Sequence, residues 1–584
     1  MKKIVLPGLK TAVSRLDIDP ETVKIDYPEN PDHGDFSTNV AMAHAKRLGM
    51  SPKVLAEKII EEYKKNMPAE IESVSIAGPG FINFKLKDKV FSEEIISIVK
   101  GGAEYGWGTS DKNAIFEYTD PNTFKVFHIG HLMSNAIGES LSRLDQSQGV
   151  SVTRICYPSD IGLHIAKSLW AMEKHRSDIP VDSSPIQEKT AFLGKMYVEG
   201  VQAYEADVSN KDDIDALNRV IYERSSPTVN ALYEKGRGWS LEHFELLYKR
   251  LGTKFDETFF ESDMASVGLE IAKKFLASGV LVESEGAVVF RGEDHGLHTR
   301  VFVSSKGLPT YEAKELGLNI TKFKKYPGTD ESVIITASEQ NDYFKVLKKV
   351  LTLIDENVGS KTRHIGHGMM RFASGKMSSR TGKVVTAEEL LSDISGMVSA
   401  KIANRGFSAE EAEEISDIIA IGAIKYTILR QAIGGDVIFD SSASISFEGD
   451  SGPYLQYAVV RAKSVLEKAK QQGIEEGKGT ISGSKRWSKK GDGELLLPKE
   501  ASLLEKLITR FPDILERARA EYAPQHVANY LINLAGAFNS YYGNNVIADK
   551  KEPFAPYRVS LTKAFVTTMT NGLWILGIKV PKRM

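Results

Sequence analysis

The 584-residue chain contains a single cysteine, Cys156. A lone thiol makes no internal disulfide and completes no Cys-x-x-Cys redox or zinc motif, so disulfide-stapled scaffolds are excluded and a reducing compartment is expected. Long apolar runs are also missing. No stretch approaches the roughly 18 apolar residues of a membrane span. Behind the basic start Met1-Lys2-Lys3, the run Ile4-Val5-Leu6 stops at Pro7, short of a signal-peptide core. A cytoplasmic protein with no membrane partner is the expectation. Net charge is small, with 75 Lys and Arg against 77 Asp and Glu. That near balance hides an asymmetry: Arg461 to Met584 carries 21 basic against 12 acidic residues, leaving 54 against 65 in residues 1–460. A basic C-terminal fifth on an acidic body is the pattern of a polyanion-binding module on an enzyme, although solvated lysine-rich faces give such counts more often.

What is present, 42% hydrophobic and 26% charged residues, has the proportions of a soluble globular protein. At about 150 residues per domain the length predicts roughly three or four domains. Residues 1–88 read as a small α+β unit, with a helical stretch around Ser37 to Leu48 and a strand over Phe81 to Leu86 after Gly78-Pro79-Gly80. The glycines between Gly101 and Gly108 read as a linker. Over 104–395, β-rich runs alternate with helical patterns: Ala114 to Tyr118 and then a helix from about His131, Val333 to Ala337 and then a helix through Phe344, Leu347, Val350 and Ile354. Strand followed by helix, repeated, predicts a parallel doubly wound α/β sheet. A polar, mostly helical insertion is expected over about 171–290. Residues 396–584, with Tyr530, Leu531, Leu534, Phe538 and Tyr541 at helical spacing, are expected to be all-helical, interrupted by a Gly/Ser/Lys-rich surface loop over Gly477 to Gly493.

The sharpest chemical feature is Pro121-Asn122-Thr123-Phe124-Lys125-Val126-Phe127-His128-Ile129-Gly130-His131, between a predicted strand and a helix marked by Met133, Ile137, Leu141 and Leu144. At a helix N-terminus the free N–H groups and the positive dipole end attract phosphate, His128 and His131 can donate hydrogen bonds to it, and Gly130 lets an adenine ring approach the backbone. Four letters alone are weak evidence. His364-Ile365-Gly366-His367 repeats them, yet it runs into Gly368-Met369-Met370, reads as strand, and is treated as a decoy. It leads into Gly375-Lys376-Met377-Ser378-Ser379-Arg380-Thr381-Gly382-Lys383, where small residues flanking cations suit a loop that closes over a triphosphate and stabilises charge as the α-phosphate is attacked. His295-Gly296-Leu297-His298 has metal-like spacing but no third ligand, and no metal site is expected.

The two motifs together resemble the ATP-binding motifs of class I aminoacyl-tRNA synthetases, and the surrounding text resembles the arginyl-tRNA synthetases. The resemblance runs from Asn30-Pro31-Asp32-His33-Gly34-Asp35-Phe36-Ser37 and Gly78-Pro79-Gly80-Phe81, through Glu117-Tyr118-Thr119-Asp120-Pro121-Asn122, to Phe447-Glu448-Gly449-Asp450-Ser451-Gly452-Pro453-Tyr454 and Ala537-Phe538-Asn539-Ser540-Tyr541-Tyr542. It is thin across roughly 171–255 and 474–496. The resemblance implies a Rossmann-type catalytic domain, an N-terminal tRNA-binding domain and a C-terminal helical anticodon-binding domain. It implies an arginine–tRNA ligase that uses ATP, with Mg²⁺ on the triphosphate and no zinc. The partners would be arginine tRNA and L-arginine, and the enzyme a monomer that activates arginine only with tRNA bound. Lys125, His128, His131 and Lys376 would be catalytic, with Gly130, Met377 and Ser378 also at ATP. Glu117, Asn122, Tyr311, Glu315 and Gln340 would surround the arginine.

Three departures stand out. Ser379 occupies the place of a second loop lysine, a loss for which Lys125 is taken to compensate in the family. Ser159-Asp160-Ile161-Gly162 stands where the family tends to have Gly-Asp-Trp-Gly, which leaves the role of Asp160 open. Glu315 stands where Asp is commoner, so its carboxylate reaches one methylene further. A planar, permanently charged guanidinium is best held by carboxylates in bidentate geometry, which suits two acids and a tyrosine. Two other classes stay open on the sequence: a nucleotidyltransferase with the same fold and motif, and a catalytically silent tRNA-binding paralogue.

Overall fold

The computed structural model describes residues 1–28, 30–373, 385–477 and 495–584, so the loop expected at 477–493, Trp487 included, lies outside the described residues except for Gly477. The chain divides into two compact units, one of 1–107, 457–520 and 529–572, the other of 108–456, 521–528 and 573–584. Among the described residues no helix is long and apolar enough to cross a membrane.

In the first unit, strands β1 (Phe36–Thr38), β2 (Ile71–Ala77) and β3 (Phe81–Leu86) form an antiparallel sheet in the order β1-β3-β2. Ile82, Phe84 and Leu86 of the central strand are buried with Leu55 and Ile59 of the helix Pro52–Lys64. The helical stretch expected from Ser37 begins later. Phe36 and Thr38 are buried, Ser37 pairs with Asn83, and the short helix Val40–His44 starts only after Thr38 Oγ1 has accepted the Val40 N–H at 3.3 Å. The N-terminal α+β part and the helices Leu503–Ile508 and Phe511–Ala520 form one body: Lys506 Nζ lies 2.8 Å from Asp35, Tyr105 donates to Ile508 O at 2.9 Å, and Tyr27 donates to Asp513.

The second unit is built on five parallel strands, β4 (Asn113–Glu117), β5 (Ser151–Cys156), β6 (Glu257–Thr258), β10 (Glu331–Ala337) and β11 (Thr362–His367), in the order β11-β10-β4-β5-β6. Strand β4 is central, and Ile115 and Phe116 on its two faces are both buried, as a doubly covered parallel sheet requires. The chain leaves β4 toward β5 on one side and later returns to place β10 on the other. The strand order therefore reverses at β4, and a crevice for ligands opens at the carboxyl ends of β4 and β10. His364-Ile365-Gly366-His367 is strand, as expected. Met370 is buried beside it in β12 (Met370–Phe372), whereas Met369 is exposed.

The stretch 171–290 is mostly helical, as expected, but it does not all lie outside the parallel sheet. Helices Leu163–Lys174, Ile186–Ala206, Val208–Glu223 and Pro227–Leu251 share a core of Leu169, Leu193, Met196, Ile214 and Tyr233, but β6 then rejoins the parallel sheet. Beyond it, β7 (Val282–Ser284), β8 (Ala287–Phe290) and β9 (Arg300–Val303) make an antiparallel sheet. Two to four residues per strand are too few to show an alternation in sequence. The helices Ala387–Ile402 and Ala409–Leu429 belong to this same unit, as does the tail from Leu573. Buried Lys425 ties them together, donating to Leu251 O at 2.6 Å and Gly577 O at 2.9 Å.

Candidate active site

The segment from β4 to the helix Ile129–Ser147 crosses the carboxyl edge of the sheet in a constrained conformation. Thr119, Asp120 and Phe124 all have positive φ, at 82°, 42° and 63°, a cost of order 1–3 kcal/mol each for non-glycine residues. Hydrogen bonds hold each of them. The Thr119 N–H donates to Ser134 Oγ at 2.9 Å, Asp120 Oδ1 accepts the Tyr157 N–H at 2.7 Å, and the Phe124 N–H donates to Ser240 Oγ at 2.9 Å. The Phe124 ring packs onto Gly236, where a Cβ would lie 2.2 Å from Cε1. Asn122 bridges Ser159, so the two segments leaving β4 and β5 are locked together.

His128 caps the helix. Its Nδ1 accepts the Gly130 N–H at 3.1 Å, and His131 Nδ1 accepts the His128 N–H at 3.3 Å. Each Nδ1 is an acceptor, so each proton sits on Nε2, which leaves Nε2–H as the donor a phosphate would meet. The rings stack with centroids 3.6 Å apart. Burial, followed by the charge of Lys125, lowers the pKa of His128; burial, His128 and Lys125 lower that of His131 further. Both imidazoles are neutral donors at pH 7. Gly130 also has a structural reason to be glycine, since a Cβ there would lie 3.0 Å from the His128 ring. Lys125 Nζ lies 4.8 Å from the centroid of Tyr197. Residues 374–384, with Lys376, Met377 and Ser378, lie outside the described residues. The chain that follows them is joined to the histidine segment: Thr386 bridges His128, and the Ala387 N–H donates to Phe127 O at 2.9 Å.

The acidic half of the site lies between β4 and the helix Tyr311–Lys325. Glu117, the last residue of β4, is fully buried and already has a cation, with Lys322 Nζ 2.6 Å from Oε2 and neither side chain more than 2% exposed. Glu261 and Lys314 form a second buried pair. Among the described residues Glu315 has no such partner, and its carboxylate accepts Asn319 Nδ2 at 3.3 Å. Burial first, and then the charges of Glu117 and Asp120, push Glu315 well above the usual carboxylate range, with Lys322 opposing. Asp120 is raised likewise by burial and Glu117. Yet Glu315 keeps part of its surface accessible. Tyr311, at the N-terminus of the same helix, is 55% exposed, with Lys314 Nζ 4.3 Å from its ring centroid. Gln340 is exposed at the turn after β10, the strand beside β4.

Asp160 is a tie rather than an open carboxylate. It is completely buried and accepts the Ser262 N–H at 2.9 Å, Ser262 Oγ at 2.8 Å, Arg237 Nε at 2.8 Å and Tyr233 OH at 3.3 Å. His295 stacks on Phe290, and among the described residues no group of three or more His, Cys, Asp or Glu could hold a metal ion. Sequence reasoning missed Lys322 and Asn319. A signal was there: Tyr311, Glu315, Asn319 and Lys322 recur at four, four and three residues, a polar stripe along one helix face.

Comparisons with known proteins cover the whole chain. Residues 3–86 match the arginyl tRNA synthetase N terminal domain, 94–441 the catalytic domain of class I tRNA synthetases of the arginine type, and 455–584 the DALR anticodon binding domain. The arginine–tRNA ligase of Clostridium perfringens is 30% identical, with 100% of each chain covered, and that of Borrelia hermsii 29% identical, with 100% of this chain and 99% of the relative covered. Among solved structures, the arginyl-tRNA synthetase of Thermus thermophilus shares the fold with a TM-score of 0.80 at 21% identity over 100% of both chains. That of Plasmodium falciparum does so with a TM-score of 0.77 at 19% identity, over 100% of this chain and 99% of the other.

Proposed function

We propose that this chain, which belongs to the class I arginyl-tRNA synthetase family, joins arginine to its tRNA in two ATP-driven steps. In the first, the arginine carboxylate attacks the α-phosphate of ATP, forming arginyl-adenylate and releasing pyrophosphate. In the second, a terminal ribose hydroxyl of the tRNA attacks the adenylate carbonyl and releases AMP. No covalent enzyme intermediate is needed, and the protein contributes position and charge. ATP enters as its magnesium complex. The neutral, Nε2-protonated imidazoles of His128 and His131 donate to phosphate at the positive end of their helix, and Lys125 and Lys376 offset charge in the transition state. Gly130, Met377 and Ser378 border the nucleotide. Glu315 takes the guanidinium, with Tyr311 beside it and Glu117 supplying a second, Lys322-shared oxygen. Asn122 and Gln340 face the backbone end of the amino acid. A soluble, cytoplasmic monomer without zinc is the form proposed.

The observation that carries the reading is the uncompensated acid. Glu117, Glu261 and Asp160 each have a cation, while Glu315 has none among the described residues, although it lies beside Glu117 and Asp120. A buried carboxylate kept accessible without a partner is a site for a cationic substrate. ATP–pyrophosphate exchange across the twenty amino acids, with and without tRNA, tests this. Exchange with arginine alone is expected, and only with tRNA present. Exchange with another amino acid, or none at all, would overturn it.

A further inference from the structure

In the arginine pocket proposed above, on which this inference rests, Glu315 has to be aimed. A glutamate side chain has three rotors, and a carboxylate that must meet a planar guanidinium in bidentate geometry tolerates misplacement of only about 0.5 Å. On the helix Tyr311–Lys325, Asn319 stands one turn beyond Glu315 and is 0% exposed. Its Nδ2 donates to Glu315 O at 2.9 Å and to Glu315 Oε2 at 3.3 Å. The two amide hydrogens are thereby used on one residue, once on its backbone and once on its carboxylate, which fixes which way the amide faces. Among the described residues the remaining atom, Asn319 Oδ1, is buried with no partner, and so are the hydroxyls of Tyr157 and Tyr343. Both tyrosines are close enough to Glu315 and Glu117 for those charges to act on them. Unfilled buried polar atoms carry a desolvation cost that a polar occupant relieves.

We infer that Asn319 is the positioning residue of the arginine pocket: it draws the Glu315 carboxylate back along its own helix and so sets the reach of the longer glutamate side chain. The pocket would then recognise arginine through a carboxylate held in place by the amide behind it.

A double-mutant cycle tests this, using the full chain with tRNA in ATP–pyrophosphate exchange. Asn319→Ala should raise KM for arginine by about tenfold while changing KM for ATP less than about twofold, since the interaction belongs to one substrate. On a Glu315→Gln background the same change should cost less than about twofold, because residues that act together do not add. Asn319→Ser is the milder variant. Its hydroxyl can still bond the carbonyl four residues back but cannot reach the carboxylate, so it keeps the helix bond and should reproduce the arginine effect. Equal cost on both backgrounds, or parallel changes in the two KM values, would reduce Asn319 to a packing role and overturn the inference. Wild-type exchange with arginine is the control. If it fails, the functional reading fails; if it holds while both Asn319 variants match wild type, only the inference fails.

Discussion

Lys322 closes on Glu117 within the core, Nζ to Oε2 at 2.6 Å, so the carboxylate at the end of the central strand is neutralised before any substrate arrives. Glu315, on the same helix as Lys322, has no ion-pair partner among the described residues. Two acids that look equivalent in the sequence therefore differ in role, and substitution separates them.

Glu117→Gln leaves the Lys322 charge buried and unpaired. It should destabilise the fold by about 3–5 kcal/mol, the usual cost of breaking a buried pair from one side. Glu315→Gln removes a carboxylate that burial already disfavours, so it should be neutral or mildly stabilising. It should still lower kcat/KM for arginine by about 10²-fold or more, because a charged hydrogen-bond partner of the substrate is lost. Urea midpoints together with kcat/KM for arginine, lysine and citrulline measure both. Unchanged arginine preference in Glu315→Gln would move the pocket elsewhere.

Lys125 sits near the two imidazoles and Tyr197. Lys125→Ala should slow adenylate formation by about 10²- to 10³-fold with little change in arginine affinity, the cost of one transition-state charge contact. A fully active Lys125→Ala beside an inactive Arg380→Ala would give that role to Arg380.

His164 is buried against Ser159 O, and burial, with Lys125, lowers its pKa to about 3. The unfolded chain takes up a proton below about 6.5 while the folded chain does not until about 3, so stability falls as pH drops through that window, by about 1.4 kcal/mol per unit. His131 acts in the same direction. His164→Asn should flatten the decline, retaining about 2 kcal/mol at pH 5 relative to wild type once both are referenced to pH 7. Parallel stability–pH curves for the two proteins would show that His164 titrates normally.

Asp160→Asn should cost about 3 kcal/mol, because Arg237 loses its charge partner. The KM for arginine should move less than twofold if the carboxylate only ties β5 to its neighbours. A large KM effect at unchanged stability would assign Asp160 to the substrate.

The strand–helix alternation, the capped helix at His128 and the strand character of His364 to His367 were legible because each depends on local spacing, period two or 3.6, and on which backbone groups a short segment leaves free. Strands β6 to β9 were not, since two to four residues carry no period. The sequence likewise supplied the set of chemical groups, histidines, lysine, tyrosine and acids in family order, and with them the expectation of arginine and ATP. Only the tertiary structure decided which acid is already paired. Lys322 follows Glu117 by 205 residues and meets it only in the folded structure, whereas the Asn319–Glu315 bond follows from a spacing of four along one helix. Charge compensation acts through space over a few ångströms, and no local pattern in the chain records it.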